Sequence, residues 1–409
     1  MTKAGLRVLV VSYLFPPFNR VGGRRWAKHA KYFNKLGLPF FVLAGNYEGS
    51  SPWDTDILAF KDNIYRIKNV ELTKPFFLRT LPVNIFQKVR WKLSYHARIV
   101  SESFLSGNFN DASRKSENLY FEKAEDIIRS KNINTIILST GPFYYSKILI
   151  KLRSRFPHLK IILDYRDYWE DGYGGLTERQ IKQEKNLQRK VINCVDLILS
   201  PNMEMQKHYS KTFNKPSFLL PHCVDEDDMG NLPVKTGGKN VQLLYGGAFY
   251  ENIGQNLELI KKFIDQMNQL QPVVADFFVS VKGYEKEMRH PLLNRHEFVE
   301  SRIYFEKVIQ SDYVILILPP NRVNAMSSKF FELIALRRPI LYFGGEGEVS
   351  RFILMNKLGF HITEKNLTES VNICLTNRMD LTIPDPGYDI HQHTFGYQTE
   401  KLISQLQQL

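Results

Sequence analysis

VILILPPNRVNAMSSKFFELIALRRPILYFGG, residues 314 to 345, decides the fold class. VILIL (314 to 318) is a continuous, mostly β-branched apolar run, as a strand buried on both faces of a parallel sheet requires. PPNRVNAM makes a turn, and Ser327 and Ser328 are N-cap residues, so a helix should start there with its first amides unpaired. Pro339 stops it, and ILYFGG opens the next strand. A strand, a helix and a second strand in this order form one unit of a doubly wound α/β sheet. The helix start is also a place for an anion: Lys329 in the first turn opposes the helix dipole unless a negative ligand joins it, and Glu332 is placed to accept from hydroxyls such as those of a ribose. An N-capped surface helix with a solvated charge pair would carry the same SxKxxE spacing, so both readings stay open.

Working outward, 409 residues suggest two domains or three, and 43% hydrophobic with 24% charged residues is the balance of a globular protein in water. No apolar run reaches the roughly 20 residues of a membrane span, and MTKAGLRVLVVSYLFPP reads as a strand ending in Pro-Pro rather than a signal peptide, so a cytoplasmic protein is expected. Cys194, Cys223 and Cys374 are few, odd in number and far apart, which indicates neither a disulfide framework nor a cysteine zinc site. The net charge of +13 is uneven: residues 1 to 220 hold 36 Lys and Arg against 19 acidic residues, and residues 221 to 409 hold 19 against 23. A basic first half implies an anionic partner, and with no zinc finger, RNA-binding signature or arginine-rich tail, nucleic acid ranks last.

RVLVVSY (7 to 13) begins a strand-first domain, followed by LFPPFNRVGGRRW and a helix from Trp26 with apolar residues at Ala30, Phe33 and Leu36. Gly22 and Gly23 let amides approach a phosphate or sugar, or merely supply a turn, and they form no GxGxxG fingerprint. Residues 72 to 101 lack acidic side chains. Lys88, Arg90, Trp91 and Lys92 lie there beside the helical stripe Phe86, Val89 and Leu93, so the segment is either a face for an anionic lipid surface or lipid-linked acceptor, or a helix packed on its own domain. ENLYFE (117 to 122), although tag-like, is taken as native. At the end of KIILDY, Asp164, Arg166, Asp167 and Trp169 crowd a strand terminus. The two carboxylates and the arginine could orient or deprotonate a hydroxyl, or pin a loop. HCVDEDDMGNLPVKTGGK reads as a linker. VQLLYGGAFYENIG then starts a second domain, with Gly246 and Gly247 repeating the glycine loop, and ADFFVSVKG and RIYFEKV are read as further strands.

These pieces divide the chain into a domain of residues 1–221, a linker of 222–240, a domain of 241–388 and a final helix of 389–409 crossing back to the first. RVLVVSYLFPP with its GG, DYRDYW, LPHCVD, LLYGGAFYEN and SSKFFELIALRRPIL together resemble family four of the retaining glycosyltransferases, which build bacterial surface polysaccharides on the GT-B architecture. The resemblance implies two doubly wound Rossmann-like domains facing across a cleft. It also implies metal-independent transfer of a sugar from a nucleotide sugar to a lipid-linked or polysaccharide acceptor, with no cofactor beyond the donor, at the inner membrane face. By position it gives Lys329 and the amides of Ser327 and Ser328 to the donor phosphates, Glu332 to the ribose, and Gly246 and Gly247 to the phosphate or sugar. Gly22 and Gly23 fall to the diphosphate, and Asp167, supported by Arg166, to catalysis. Asn324 stands where many relatives have a donor-contacting Glu, and the Arg that many carry after the second domain's first strand is absent. A nucleotide-sugar epimerase and a non-catalytic sugar-nucleotide-binding scaffold are the alternatives on the same fold.

Overall fold

The structure, a computed structural model, describes residues 5–19, 21–68, 84–86, 88–89, 92, 108, 111–230, 238–249, 253–279, 286–319, 322–324, 326–380 and 383–409. The chain forms two compact units, Met1–Leu220 with Thr399–Leu409, and Pro221–Gln398.

The first unit is a seven-stranded parallel sheet in the order β3-β2-β1-β4-β5-β6-β7. Its strands are β1 Val8–Ser12, β2 Phe40–Asn46, β3 Ile64–Lys68, β4 Thr135–Ser139, β5 Lys160–Asp164, β6 Leu197–Ser200 and β7 Ser217–Leu219. Along β1, Leu9 and Val11 join one apolar cluster while Val8 and Val10 join another, because successive side chains leave opposite faces and both faces are covered by helices. Leu402, Ile403 and Leu406 of the last helix, Phe395–Gln408, belong to the second of these clusters.

The second unit is a six-stranded sheet in the order β10-β9-β8-β11-β12-β13, with β8 Val241–Gly246, β9 Val273–Phe278, β10 Leu293–His296, β11 Tyr313–Ile317, β12 Ile340–Phe343 and β13 Gly359–His361. All of its pairings are parallel. Along β11, Tyr313, Ile315 and Ile317 point into one core and Val314 and Leu316 into the other. Strand order reverses between β1 and β4 in the first sheet and between β8 and β11 in the second. At these switch points the crossovers leave in opposite directions and open a crevice at the carboxyl ends, where ligands bind in such sheets.

Three local expectations need correction. The first helix is Val21–Lys35, so Gly22 and Gly23 lie in its first turn rather than in a loop before Trp26. The segment 222–240 contains ordered structure: Val224 bridges Thr394, and Glu226–Met229 is a short helix capped by Asp225. RIYFEKV is not a strand but part of the helix Ser301–Gln310, in which Phe305 and Val308 are buried three residues apart and Arg302 pairs with Glu306 at i,i+4. A short apolar run reads equally well in either period, and here the helical one wins because only one stripe meets the sheet.

Candidate functional site

The helix Ser328–Ala335 begins beyond the carboxyl end of β11, beside the switch point of the second sheet. Ser327 is its N-cap, and the Ser327 hydroxyl accepts from the Phe330 amide at 3.3 Å. The amides of Ser328 and Lys329 precede the first intrahelical bond and meet no acceptor among the described residues. Phe330, Phe331, Leu333 and Ile334 are buried and hold the helix down, so its open end is fixed by packing.

Lys329, half-buried, points into an aromatic corner. Its Nζ lies 5.0 Å from the centre of the Tyr304 ring and 5.7 Å from that of Tyr245. Among the described residues it has no hydrogen bond and no ion pair within contact range. Burial pushes the Lys329 ammonium down to about 8, and the Glu332 carboxylate one turn on offsets only part of that. Tyr304 completes the corner: its hydroxyl is buried without a hydrogen-bond partner, and burial raises its pKa well above that of an exposed tyrosine. A buried hydroxyl and an ammonium, both lacking acceptors among the described residues, are two donors suited to an anionic ligand.

Gly246 and Gly247 border this corner, and each has a definite task. A Cβ on Gly246 would overlap the Tyr304 ring, so the absence of a side chain there is what admits Tyr304. A Cβ on Gly247 would lie 3.2 Å from Lys329 Nζ. The Gly247 amide already donates to the Phe278 carbonyl at 3.1 Å, which leaves room, rather than that amide, as the glycine's offering to a ligand. Asn324 is half-buried and its Oδ1 accepts from the Glu348 amide at 2.7 Å, which caps the helix Glu348–Met355. One function of Asn324 is therefore to hold the turn after β11.

In the first unit the residues around DYRDYW separate. Asp164 is fully buried and accepts from Arg25 at 2.9 Å, Trp26 Nε1 at 2.7 Å and Ser139 at 2.9 Å. Burial by itself would raise this carboxyl, but the Arg25 charge and the three donors hold it below the usual range. Arg166 does not pair with either neighbouring carboxylate. Its guanidinium donates to the carbonyls of Thr140 at 2.8 Å, Gly22 at 3.0 Å and Gly141, and so ties together the chain segments that follow β1 and β4. A Cβ on Gly22 would come within 2.6 Å of that guanidinium, and one on Gly23 within 2.8 Å of the Phe18 carbonyl, so both glycines serve close backbone approach. Asp167 is exposed and has no hydrogen bond or ion pair among the described residues. Of the basic segment, Lys88 and Lys92 are exposed, as are Ile85, Phe86 and Val89; Arg90 and Trp91 lie outside the described residues.

Sequence reading missed Tyr304, which sat inside a segment taken for a strand, and Tyr245, one residue before a glycine pair that drew the attention. The pairing of Arg25 with Asp164 spans 139 positions and leaves no local trace.

No protein-family model and no curated protein matches the sequence. Solved structures do match over nearly the whole chain. An α,α-trehalose-phosphate synthase (UDP-forming) from Burkholderia vietnamiensis is 9% identical over 98% of this chain and 100% of that one, with a TM-score of 0.59. A putative UDP-N-acetylglucosamine 2-epimerase from Listeria monocytogenes is 12% identical over 99% and 96%, with a TM-score of 0.57. The chain has the GT-B fold. A third match of that fold, trehalose-6-phosphate from E. coli bound with UDP-2-fluoro glucose, is 11% identical over 98% and 99%, with a TM-score of 0.55. At these identities the GT-B likeness is one of fold.

Proposed function

We propose that this chain is a glycosyltransferase that moves a sugar from a nucleotide-sugar donor to a lipid-linked or polysaccharide acceptor, with retention of configuration, in the synthesis of a cell-surface polysaccharide. The observation that carries this reading is Lys329: a half-buried ammonium that, among the described residues, has no ion-pair partner, beside two open helix amides and the Tyr304 hydroxyl, likewise without a partner among them, at the switch point of its sheet. Departure of a nucleoside diphosphate builds negative charge on its phosphates, and donors fixed beforehand in a half-dry site stabilise that charge in the transition state. Lys329 and the amides of Ser328 and Lys329 take this role without a metal, Tyr304 adds a hydroxyl, and Glu332 accepts from the ribose. Gly246 admits Tyr304 to the corner, Gly247 leaves room beside Lys329 for the phosphate or sugar, and the Nδ2 side of Asn324 contacts the sugar. In the first unit, Asp167 handles the acceptor hydroxyl, and Arg166 positions the backbone at Gly22, beside Gly23.

The acceptor side would work at a membrane. Among the described residues no helix is long and apolar enough to cross one, but exposed Ile85, Phe86 and Val89 next to Lys88 and Lys92 have the composition of a face that rests on anionic lipid. The epimerase alternative has a like-folded relative in its favour. It calls for several carboxylates and histidines at the donor corner, where Glu332 is the carboxylate that acts on Lys329.

The deciding experiment is a thermal-shift screen of UDP, GDP and ADP, followed by incubation of the matching nucleotide sugars with lipid-linked acceptors and assignment of the anomeric configuration by NMR. Stabilisation by one nucleotide and transfer with retention are expected. Interconversion of the donor without transfer would make the protein an epimerase, and failure of every nucleotide to bind would remove both enzymatic readings.

A further inference from the structure

At the amino ends of the interior strands β11 and β12 of the second sheet lies a cavity of about 250 Å³. Its lining combines the apolar Pro339, Ile383, Pro384 and Pro386 with the cationic Arg337, Arg338 and Arg378. The apolar wall is held rigidly: Asn377 donates to the Ile383 carbonyl at 3.1 Å and accepts from the Ile383 amide at 2.8 Å. The five residues of β11, roughly 16 Å of extended chain, separate this cavity from the carboxyl ends where Lys329 sits.

Two of the three arginines have structural work. Arg337 donates to the Pro386 carbonyl at 3.2 Å and the Tyr388 carbonyl at 3.4 Å. Arg378 pairs with Asp312 at 3.0 Å and donates to the Gly238 and Asn240 carbonyls at 2.7 and 3.0 Å. The other oxygen of Asp312 accepts from the Gln242 amide at 2.8 Å, so this carboxylate is fully engaged. Arg338 differs from both. Its Nε is buried with no hydrogen-bond partner, and among the described residues no carboxylate forms an ion pair with it. Burial lowers its pKa, opposed only by the charge of Asp312. Its place just beyond the helix Ser328–Ala335 suits a positive charge at a carbonyl end, which accounts for a cation there but not for a buried N–H without an acceptor.

We propose that this cavity is a second anion site, in which the Arg338 guanidinium binds the phosphate or carboxylate group of a small molecule whose remaining body lies on the proline wall. With Arg378 and Asp312 neutralising each other, Arg337 and Arg338 leave the cavity with two positive charges, and a planar guanidinium can meet an oxyanion through two parallel N–H bonds. The site is independent of the donor corner and its test needs no turnover.

The test is a ¹⁵N-edited NMR titration of the arginine Nε–H signals of the full chain with inorganic phosphate, with malonate, and with sodium chloride at matched ionic strength. Arg338→Lys identifies the Arg338 signal while keeping the charge, and Arg338→Gln does so if the first variant fails to fold. A saturable shift of that signal at millimolar phosphate or malonate is expected, unchanged in a Lys329→Gln background, with affinity at least tenfold weaker in Arg338→Gln when followed at Arg378. A response to phosphate alone assigns phosphorylated ligands and a response to malonate alone assigns carboxylates. A shift that merely follows ionic strength, or one that vanishes in Lys329→Gln, overturns the proposal.

Discussion

At the switch point of the first sheet, the Arg166 guanidinium sits among three backbone carbonyls, and at the end of β5 Arg25 faces a fully buried Asp164. At the same point of the second sheet, Lys329 faces two aromatic rings and has no carbonyl or carboxylate within hydrogen-bond reach among the described residues. Both regions place a cation at the carboxyl ends of parallel strands, yet in one the charge closes the structure and in the other it stays open. A buried charge costs free energy unless it is paired, so a folded protein that leaves one unpaired does so where something else binds. The contrast separates a residue that holds a site in shape from one that meets the ligand, and sequence position alone does not make that distinction.

The sharpest way to break the comparison is at Asp164. Asp164→Ala takes from the buried Arg25 its carboxylate, leaving the Leu220 carbonyl, and takes the acceptor from the Trp26 and Ser139 donors, and should lower the unfolding free energy by about 3–5 kcal/mol in urea titration. A loss under about 1 kcal/mol would mean that the pair does not close the first unit. Lys329→Met should behave in the opposite sense. Stability holds or rises because the desolvated cation is gone, while affinity for UDP, or whichever nucleotide the screen selects, falls roughly thirtyfold, about 2 kcal/mol for a charge-assisted contact. Equal nucleotide affinity in calorimetry would dismiss Lys329 as the phosphate contact.

A smaller effect follows from pH. With the Lys329 ammonium near 8, most of it carries its proton at pH 7 and little of it at pH 9, so nucleotide affinity should fall roughly tenfold as pH rises through that interval. The dependence should be flat in Lys329→Gln, and a wild-type profile equally flat would refute the titration. Smallest is Tyr304→Phe. A hydroxyl without a partner contributes nothing to the fold, so melting should be unchanged, whereas nucleotide affinity should weaken by about two- to fivefold if the hydroxyl donates to the phosphate. A drop in melting temperature instead would give the hydroxyl a structural role.

Much of the fold was legible because its signals are local. VILIL, TIILS and VLVVS read as strands buried on both faces, since each is apolar without alternation and bounded by turns. Ser327 could be read as a cap because capping depends on residues three positions apart. RIYFEKV could not be assigned, since seven residues suit both periods and only the sheet beneath chooses one. The short edge strands Ile64–Lys68 and Gly359–His361 went unread, because a strand of three to five residues paired on one side carries little pattern of its own.

The sequence by itself determined the succession of strands and helices, the glycines at strand ends and the lysine at a helix start, because periodicity, capping and backbone freedom act within a few residues. Tertiary structure decided which charges meet: Arg25 with Asp164 across 139 positions, Arg166 with the carbonyls of Gly22 and Gly141, and Lys329 with the rings of Tyr245 and Tyr304. Burial and pairing are properties of neighbours in space, and they alone distinguish an arginine that closes a loop from a lysine that waits for an anion.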